Sequence, residues 1–220
     1  MIKAILFDYD GTLSNRIESG YKKYQADCRE IFPDLDPNGI ELEAIIQRCM
    51  TWDEYGTINK RHVYTQLKEA YNLDIDVEKW VENWYNTFHL YQVLQRDCKE
   101  ILKKLSQHYK LGCVTNGNSY TQHIKLDYTN LKECFDVVFV SGDYGIHKPD
   151  KKLFLMAADE LGIKPEEIAF VGDTFATDIL GAHRAGMHPI WFFNDPLRYS
   201  DTQVTRIYSF YELLETFGIE

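Results

Sequence analysis

The sequence predicts an α/β fold in which a parallel sheet, covered by helices on both faces, is interrupted after its first strand by a small helical bundle. Three observations carry that reading. A short apolar run, Ala4 to Phe7, is too continuous for a half-exposed strand and suits a central strand buried on both sides. From about Ile17 to Tyr91 the chain shows helical periodicity and no convincing strand. After Gln95 strands and helices alternate, which is the pattern of parallel strands joined by helical crossovers.

The elements follow in order. Residues 3–7 form the first strand. In the helical block, Leu42, Ile45, Ile46, Cys49 and Met50 recur at i, i+3, i+4, i+7 and i+8. Val77, Trp80, Val81, Trp84 and Phe88 keep helical spacing, as do Tyr64, Leu67 and Tyr71, while Pro33, Pro37 and Gly39 punctuate the first two helices. The block reads as a bundle of about four helices. A helix over residues 97–108 then precedes the strand Lys110–Thr115, and a helix from about Ser119 precedes the strand Val137–Val140. A helix from Lys151 to Leu161, closed by Gly162, precedes a strand over residues 168–171. A last helix over residues 174–185 precedes a strand over 189–193. Right-handed crossovers would join these strands into a Rossmann-like sheet. The expected division is a core of residues 1–15 and 93–220 and a helical insertion of residues 16–92, with the joints near 14–17 and 90–96.

Composition narrows the function. With 220 residues, 45% of them apolar, the chain can bury a sizeable core. A formal charge of -10 argues against a nucleic-acid partner, which Lys and Arg would have to attract. The five cysteines, Cys28, Cys49, Cys98, Cys113 and Cys134, are dispersed and without C-x-x-C spacing, as free thiols in a reducing compartment would be. The apolar run before Asp8 is too short for a signal peptide and no later stretch approaches membrane-spanning length, so a cytoplasmic protein without membrane contact is expected.

Ligands of open parallel sheets bind beyond the carboxyl ends of the strands. The first strand ends on Asp8 and Asp10, two acids one residue apart that folding does not require. The second ends on Thr115, Asn116 and Gly117. The third leads through a loop to His147, Lys148, Pro149 and Asp150, and the fourth to Gly172, Asp173, Thr174 and, further on, Asp178. Asp8, Asp10 and Asp173 offer hard oxygens, which suit Mg²⁺ rather than zinc. Lys148 is a point cation able to meet a phosphate oxygen. Thr115 and Asn116 bring a hydroxyl, a carboxamide and backbone N–H groups near a helix start, where anions are favoured. Together these groups describe a phosphoryl-transfer site.

The ordered set Asp8-Tyr9-Asp10-Gly11-Thr12, Thr115-Asn116-Gly117, Lys148-Pro149 and Gly172-Asp173 with Asp178 resembles the haloacid dehalogenase (HAD) superfamily, and the helical insertion resembles its small C1-type cap. The resemblance implies that Asp8 is a nucleophile forming an aspartyl-phosphate, and that Asp10 is the acid for the leaving group and then the base for water. It implies Mg²⁺ held by the Asp8 carboxylate, the Asp10 backbone carbonyl and Asp173, with Asp178 a further ligand or an orienting partner. Thr115, Asn116 and Lys148 would hold phosphoryl oxygens. Relatives that cleave carbon–halogen bonds lack an acid at the position of Asp10, so Asp10 favours phosphoryl transfer.

The implied activity is a phosphatase acting on a small phosphorylated metabolite, with sugar phosphates and nucleoside monophosphates both open. A phosphomutase of the same fold would share every motif, and a non-catalytic module would keep the fold alone. Plainer readings stand beside the motif residues: Asp173 and Asp178 as helix caps, Lys148 and His147 as loop residues, Asn15 and Arg16 as shapers of the linker or readers of substrate. The aromatics Trp52, Tyr55, Trp80, Trp84, Tyr85, Phe88 and Tyr91 read as packing of the insertion rather than a stacking pocket.

Overall fold

The computed structural model describes residues 1–192 and 204–219, the side chain of Tyr55 excepted. The chain divides into two compact units, Met1–Ser14 with Leu94–Glu220, and Asn15–Val93. Among the described residues no helix is long and apolar enough to cross a membrane.

Among the described residues the first unit is a sheet of six parallel strands: β1 (Ala4–Phe7), β2 (Lys110–Thr115), β3 (Val137–Val140), β4 (Ile168–Gly172), β5 (His188–Phe192) and β6 (Thr205–Ile207). Their order is β3-β2-β1-β4-β5-β6. β1 lies at the centre, Ala4 opposite Lys110 on one side and Ile168 on the other. Its four residues are fully buried because both faces are covered, as its unbroken apolar run requires. Ile5 and Phe7 point into one core cluster with Ile101, Leu102 and Leu213; Ala4 and Leu6 point into another with Leu153, Phe154 and Ala157. The chain leaves β1 to build β2 and β3 on one side and returns to build β4, β5 and β6 on the other. β1 and β4 therefore flank the point where strand order reverses, the place where open sheets bind ligands.

The covering helices are α5 (Cys98–Leu105), α6 (Ser119–Tyr128), α7 (Ser141–Tyr144), α8 (Lys151–Leu161), α9 (Leu180–Arg184) and α10 (Tyr211–Phe217). Asn118 caps α6 by accepting from Thr121 N at 3.3 Å, and Asp150 caps α8 by accepting from Lys152 N at 3.0 Å. The segment expected as one helix over residues 174–185 differs. It opens with a π-helical turn, Phe175–Ile179, and only then becomes α9. The wider turn goes with Asp178, whose carboxylate folds back to accept from Thr174 N at 3.0 Å. β6, α7 and α10 fall outside the sequence expectation, being three, four and seven residues long, too short to show a period. Phe193, assigned from sequence to the fifth strand, lies outside the described residues.

The second unit holds α1 (Arg16–Ile31), α2 (Ile40–Trp52), α3 (Lys60–Tyr71) and α4 (Val77–Thr87). Its core gathers Tyr24, Leu42, Ile46, Cys49, Tyr64, Leu67 and Trp84. Trp84 packs on Tyr24 at 4.5 Å and on Phe88 at 4.9 Å between ring centres, so these aromatics pack the bundle, while Tyr85 is exposed. Two lysines are buried inside it, Lys23 paired with Asp27 and Lys60 with Asp53. Asn15 caps α1, accepting from Glu18 N at 3.0 Å, and the Arg16 guanidinium stacks 4.6 Å over the Phe88 ring. All five cysteines are free, four of them buried.

Candidate active site

Asp8 follows directly on β1. Its main-chain N–H donates to Val171 O of β4 at 2.9 Å, so its side chain emerges where the strand order reverses. Asp173 follows directly on β4. The Trp191 indole of β5 donates to its main-chain oxygen at 2.8 Å, and the Thr12 hydroxyl lies 3.4 Å from its carboxylate. Gly11, at φ +91°, completes that approach: a Cβ there would collide with the Asp173 carboxylate. Asp178 hangs from the π-helical turn.

These three side chains offer carboxylate oxygens all within 4.8 Å of one another. Lys148 stands against them, its Nζ 2.6 Å from Asp8 Oδ1 and 2.7 Å from Asp178 Oδ1. The lysine is aimed by Asn116, whose carboxamide donates to Lys148 O at 3.0 Å and accepts from Lys148 N at 2.8 Å. Asn116 thus spends its side chain on the lysine's backbone. Thr115 is buried at the end of β2, and its hydroxyl accepts from Gln122 Nε2 at 2.8 Å. His147 is exposed.

Three carboxylates face one ammonium here, and Asp8, Asp178 and Lys148 are all buried. Two unit charges about 4.8 Å apart repel by roughly 3.5 kcal/mol at an effective dielectric of ~20, so the arrangement is strained in favour of added positive charge or protons. Burial pushes the Asp8 carboxyl up to about 6, with Lys148 opposing and Asp178 and Asp10 adding to the rise. Burial also lifts Asp173 well above the carboxylate range, helped by Asp8 and Asp178. Burial would lower Lys148, but Asp178 and Asp8 outweigh it and hold it above its ordinary value. The donor set is three hard oxygens, without nitrogen or sulfur, which fits a small divalent cation such as Mg²⁺. Among the described residues no other three His, Cys, Asp or Glu side chains are grouped closely enough to share a metal.

Asp10 turns elsewhere. Its two carboxylate oxygens lie 3.0 and 2.8 Å from Lys125 Nζ, and Gln122 Nε2 donates to it at 2.9 Å. Its side chain is therefore outside the metal-sized cluster, and Asp178 is inside it. Neither Gln122 nor Lys125 stands out among the motifs. The signal was in the helix: Gln122, Lys125, Leu126 and Thr129 fall at i, i+3, i+4 and i+7, the spacing of a buried face, and two of the four are long polar residues.

Comparison with known proteins extends this geometry. The family described as haloacid dehalogenase-like hydrolase matches residues 5–192. The glyceraldehyde 3-phosphate phosphatase of Methanopyrus kandleri is 34% identical over 194 residues, 85% of this chain and 82% of that protein. The solved structure of a HAD phosphatase from Thermococcus onnurineus is 27% identical, with a TM-score of 0.67 over 100% of this chain and 99% of that one. The magnesium-bound HAD-hydrolase YfnB of Bacillus subtilis shares the fold at a TM-score of 0.75, with 24% identity and 99% of each chain covered.

Proposed function

The chain belongs to the haloacid dehalogenase-like hydrolases and is a phosphoric monoester hydrolase, and we propose that it is a Mg²⁺-dependent phosphatase of a small phosphorylated metabolite, working through an aspartyl-phosphate on Asp8. The observation that carries this reading is the surplus of buried carboxylates over Lys148 at the edge where β1 and β4 part. Asp8, Asp173 and the Asp10 main-chain carbonyl would hold the metal, with Asp178 as a further ligand or as the partner that orients Lys148. When bound, Mg²⁺ supplies the charge that lets a carboxylate approach a phosphate dianion and stabilises the transferring oxygens.

The residues of the chain divide the remaining work. Lys148 donates to Asp8 Oδ1; one Asp8 oxygen would be shared by Lys148 and the metal, and the other would attack phosphorus in line. The P–O bond to the leaving group breaks as the new bond forms, and Asp10 gives its proton to the departing oxygen. Asp10 then takes a proton from water. That water attacks phosphorus, the bond to Asp8 breaks, and inorganic phosphate leaves. Thr115, the Asn116 backbone and Lys148 would hold the phosphoryl oxygens throughout. The whole task is large: a full enhancement for phosphate-monoester hydrolysis reaches ~10²¹, or roughly 28 kcal/mol.

The substrate class rests on the named relative, which acts on glyceraldehyde 3-phosphate. Of the two open classes, it favours phosphorylated sugars over nucleoside monophosphates. The helical unit would select the leaving group, and a cytoplasmic setting fits such metabolites. A phosphate-release screen over a panel of sugar phosphates and nucleoside monophosphates, with Mg²⁺ and with chelator, tests the proposal. Release that requires Mg²⁺ supports it. No release from any ester with Mg²⁺ present would overturn it.

A further inference from the structure

The grip on Asp10 lies outside the four motifs and reaches it from α6. Lys125 and Gln122 sit one helical turn apart on the buried face of that helix, 8% and 2% exposed. An apolar pair would cover the sheet as well as they do, so packing alone gives no reason to bury an ammonium and an amide there. Both are aimed at Asp10, and they are tied to each other, Lys125 Nζ donating to Gln122 Oε1 at 2.7 Å.

The arrangement has a second property. Gln122 Nε2 has two hydrogens and three acceptors within reach: Asp10 Oδ2 at 2.9 Å, Thr115 Oγ1 at 2.8 Å and Asn116 O at 3.0 Å. If the Asp10 side chain rotates away, the amide keeps two acceptors and Lys125 keeps Gln122 Oε1. The amide is left with its hydrogen bonds made, whereas the Lys125 ammonium would lose its counter-charge, so the ion pair is what holds Asp10 in place. Gly117 makes room for the amide: its φ is +152°, and a Cβ would lie 2.7 Å from Gln122 Cγ. One amide therefore touches both the phosphate-binding end of β2 and the acid.

We propose that Lys125 and Gln122 are positioning residues that dock the Asp10 side chain and fix its direction relative to the leaving oxygen. The inference rests on the reading of Asp10 as the acid. It predicts a dependence on leaving group, because a basic leaving oxygen needs that proton and a weakly basic one does not. The test compares phenyl phosphate with 4-nitrophenyl phosphate, which differ little in shape and much in leaving-group basicity. The readout is kcat/KM, which reports steps up to departure of the leaving group.

In Lys125→Met, kcat/KM for phenyl phosphate should fall at least about 10-fold further than for 4-nitrophenyl phosphate, and Lys125→Arg should restore most of the loss. Equal losses on both substrates, or no loss, would overturn the positioning role, since misfolding or poorer phosphate binding strikes both alike. Gln122→Met gives the same readout should Lys125→Met fail to fold. Asp10→Asn separates the two layers. A leaving-group effect there with none in the α6 variants sinks this inference alone, whereas its absence in Asp10→Asn sinks the acid assignment on which the inference stands.

Discussion

The two units each bury a charged cluster, and the clusters differ in one respect. In the helical unit the charges balance. Lys23 pairs with Asp27, which also accepts from the Tyr64 hydroxyl at 2.6 Å, and Lys60 pairs with Asp53 while donating to Ile58 O at 3.2 Å. At the β1–β4 edge they do not: Asp8, Asp173 and Asp178 share one Lys148. A balanced cluster closes on itself and serves the fold. An unbalanced one is completed only by something the chain does not contain. Burial and ion pairing are similar in both, so the imbalance is what marks one of them as a site.

The largest test falls on the unbalanced cluster. Asp8→Asn removes the nucleophile, and phosphate release should fall by at least about 10⁴-fold. It also removes one of three crowded charges, so the metal-free variant should melt at or above the temperature of the metal-free parent. Thermal unfolding in chelator reads this second effect. Turnover retained by the variant would refute Asp8 as nucleophile, and a lower melting temperature would show that Asp8 contributes to the fold as the helical unit's acids do.

The opposite is expected of Asp27→Asn. Removing one partner leaves Lys23 buried without its counter-charge, a loss of about 3–5 kcal/mol by urea denaturation. The remaining folded protein should keep kcat within a few-fold. An activity loss without a stability loss would move the helical unit's cluster into the functional class.

Sequence legibility splits along the same line. The acids at the strand ends were readable because buried strands do not otherwise end on two carboxylates so closely spaced. Lys110–Thr115 and Val137–Val140 were readable because continuous apolar runs between helices have one good explanation. The hold of Lys125 and Gln122 on Asp10 was not, because the residues are more than a hundred positions apart and only the parallel β1–β2 pairing brings them together. Lys23 and Lys60 were also hidden. A lysine in a helix is usually solvated, and nothing local shows that these two point inward. The π-helical turn depends on one side chain folding back on its own backbone, which residue periodicity does not report.

Proton and metal should compete at the unbalanced cluster. Asp8 sits at about 6 in the folded protein against an ordinary 3.8. A raised folded value means stabilisation that is present below about pH 4 and lost as pH rises through about 6. The metal-free protein should therefore lose melting temperature across that window. Added Mg²⁺ should restore it increasingly as pH rises, reaching about 2.7 kcal/mol at 100 times Kd. Asp27 is raised in the same direction, burial outweighing Lys23, and it contributes to the metal-free slope. It does not meet the metal, so the difference with and without Mg²⁺ isolates the site. A Mg²⁺-induced gain that stays flat from about pH 4 to 7 would break the link between surplus charge and metal.

The smallest effect comes from adjacent lysines. Lys22 and Lys23 each pair with an acid four positions away on α1, Glu18 and Asp27. Lys22 and Glu18 have side chains 47% exposed, whereas those of Lys23 and Asp27 are 1% and 4% exposed. Water screens the first pair, and its ordering entropy offsets what attraction remains, so Lys22→Ala should shift stability by no more than about 0.5 kcal/mol. Lys23→Ala strands Asp27 in the interior and should cost about 3–5 kcal/mol, near the loss from Asp27→Asn. Helix and spacing are shared, and the reversed order of acid and lysine is worth only tenths of a kcal/mol, so urea denaturation of the two variants reads mainly burial. Equal losses would mean that burial is not what gives these charges their weight, and the contrast between the two clusters would then have to rest on charge balance alone.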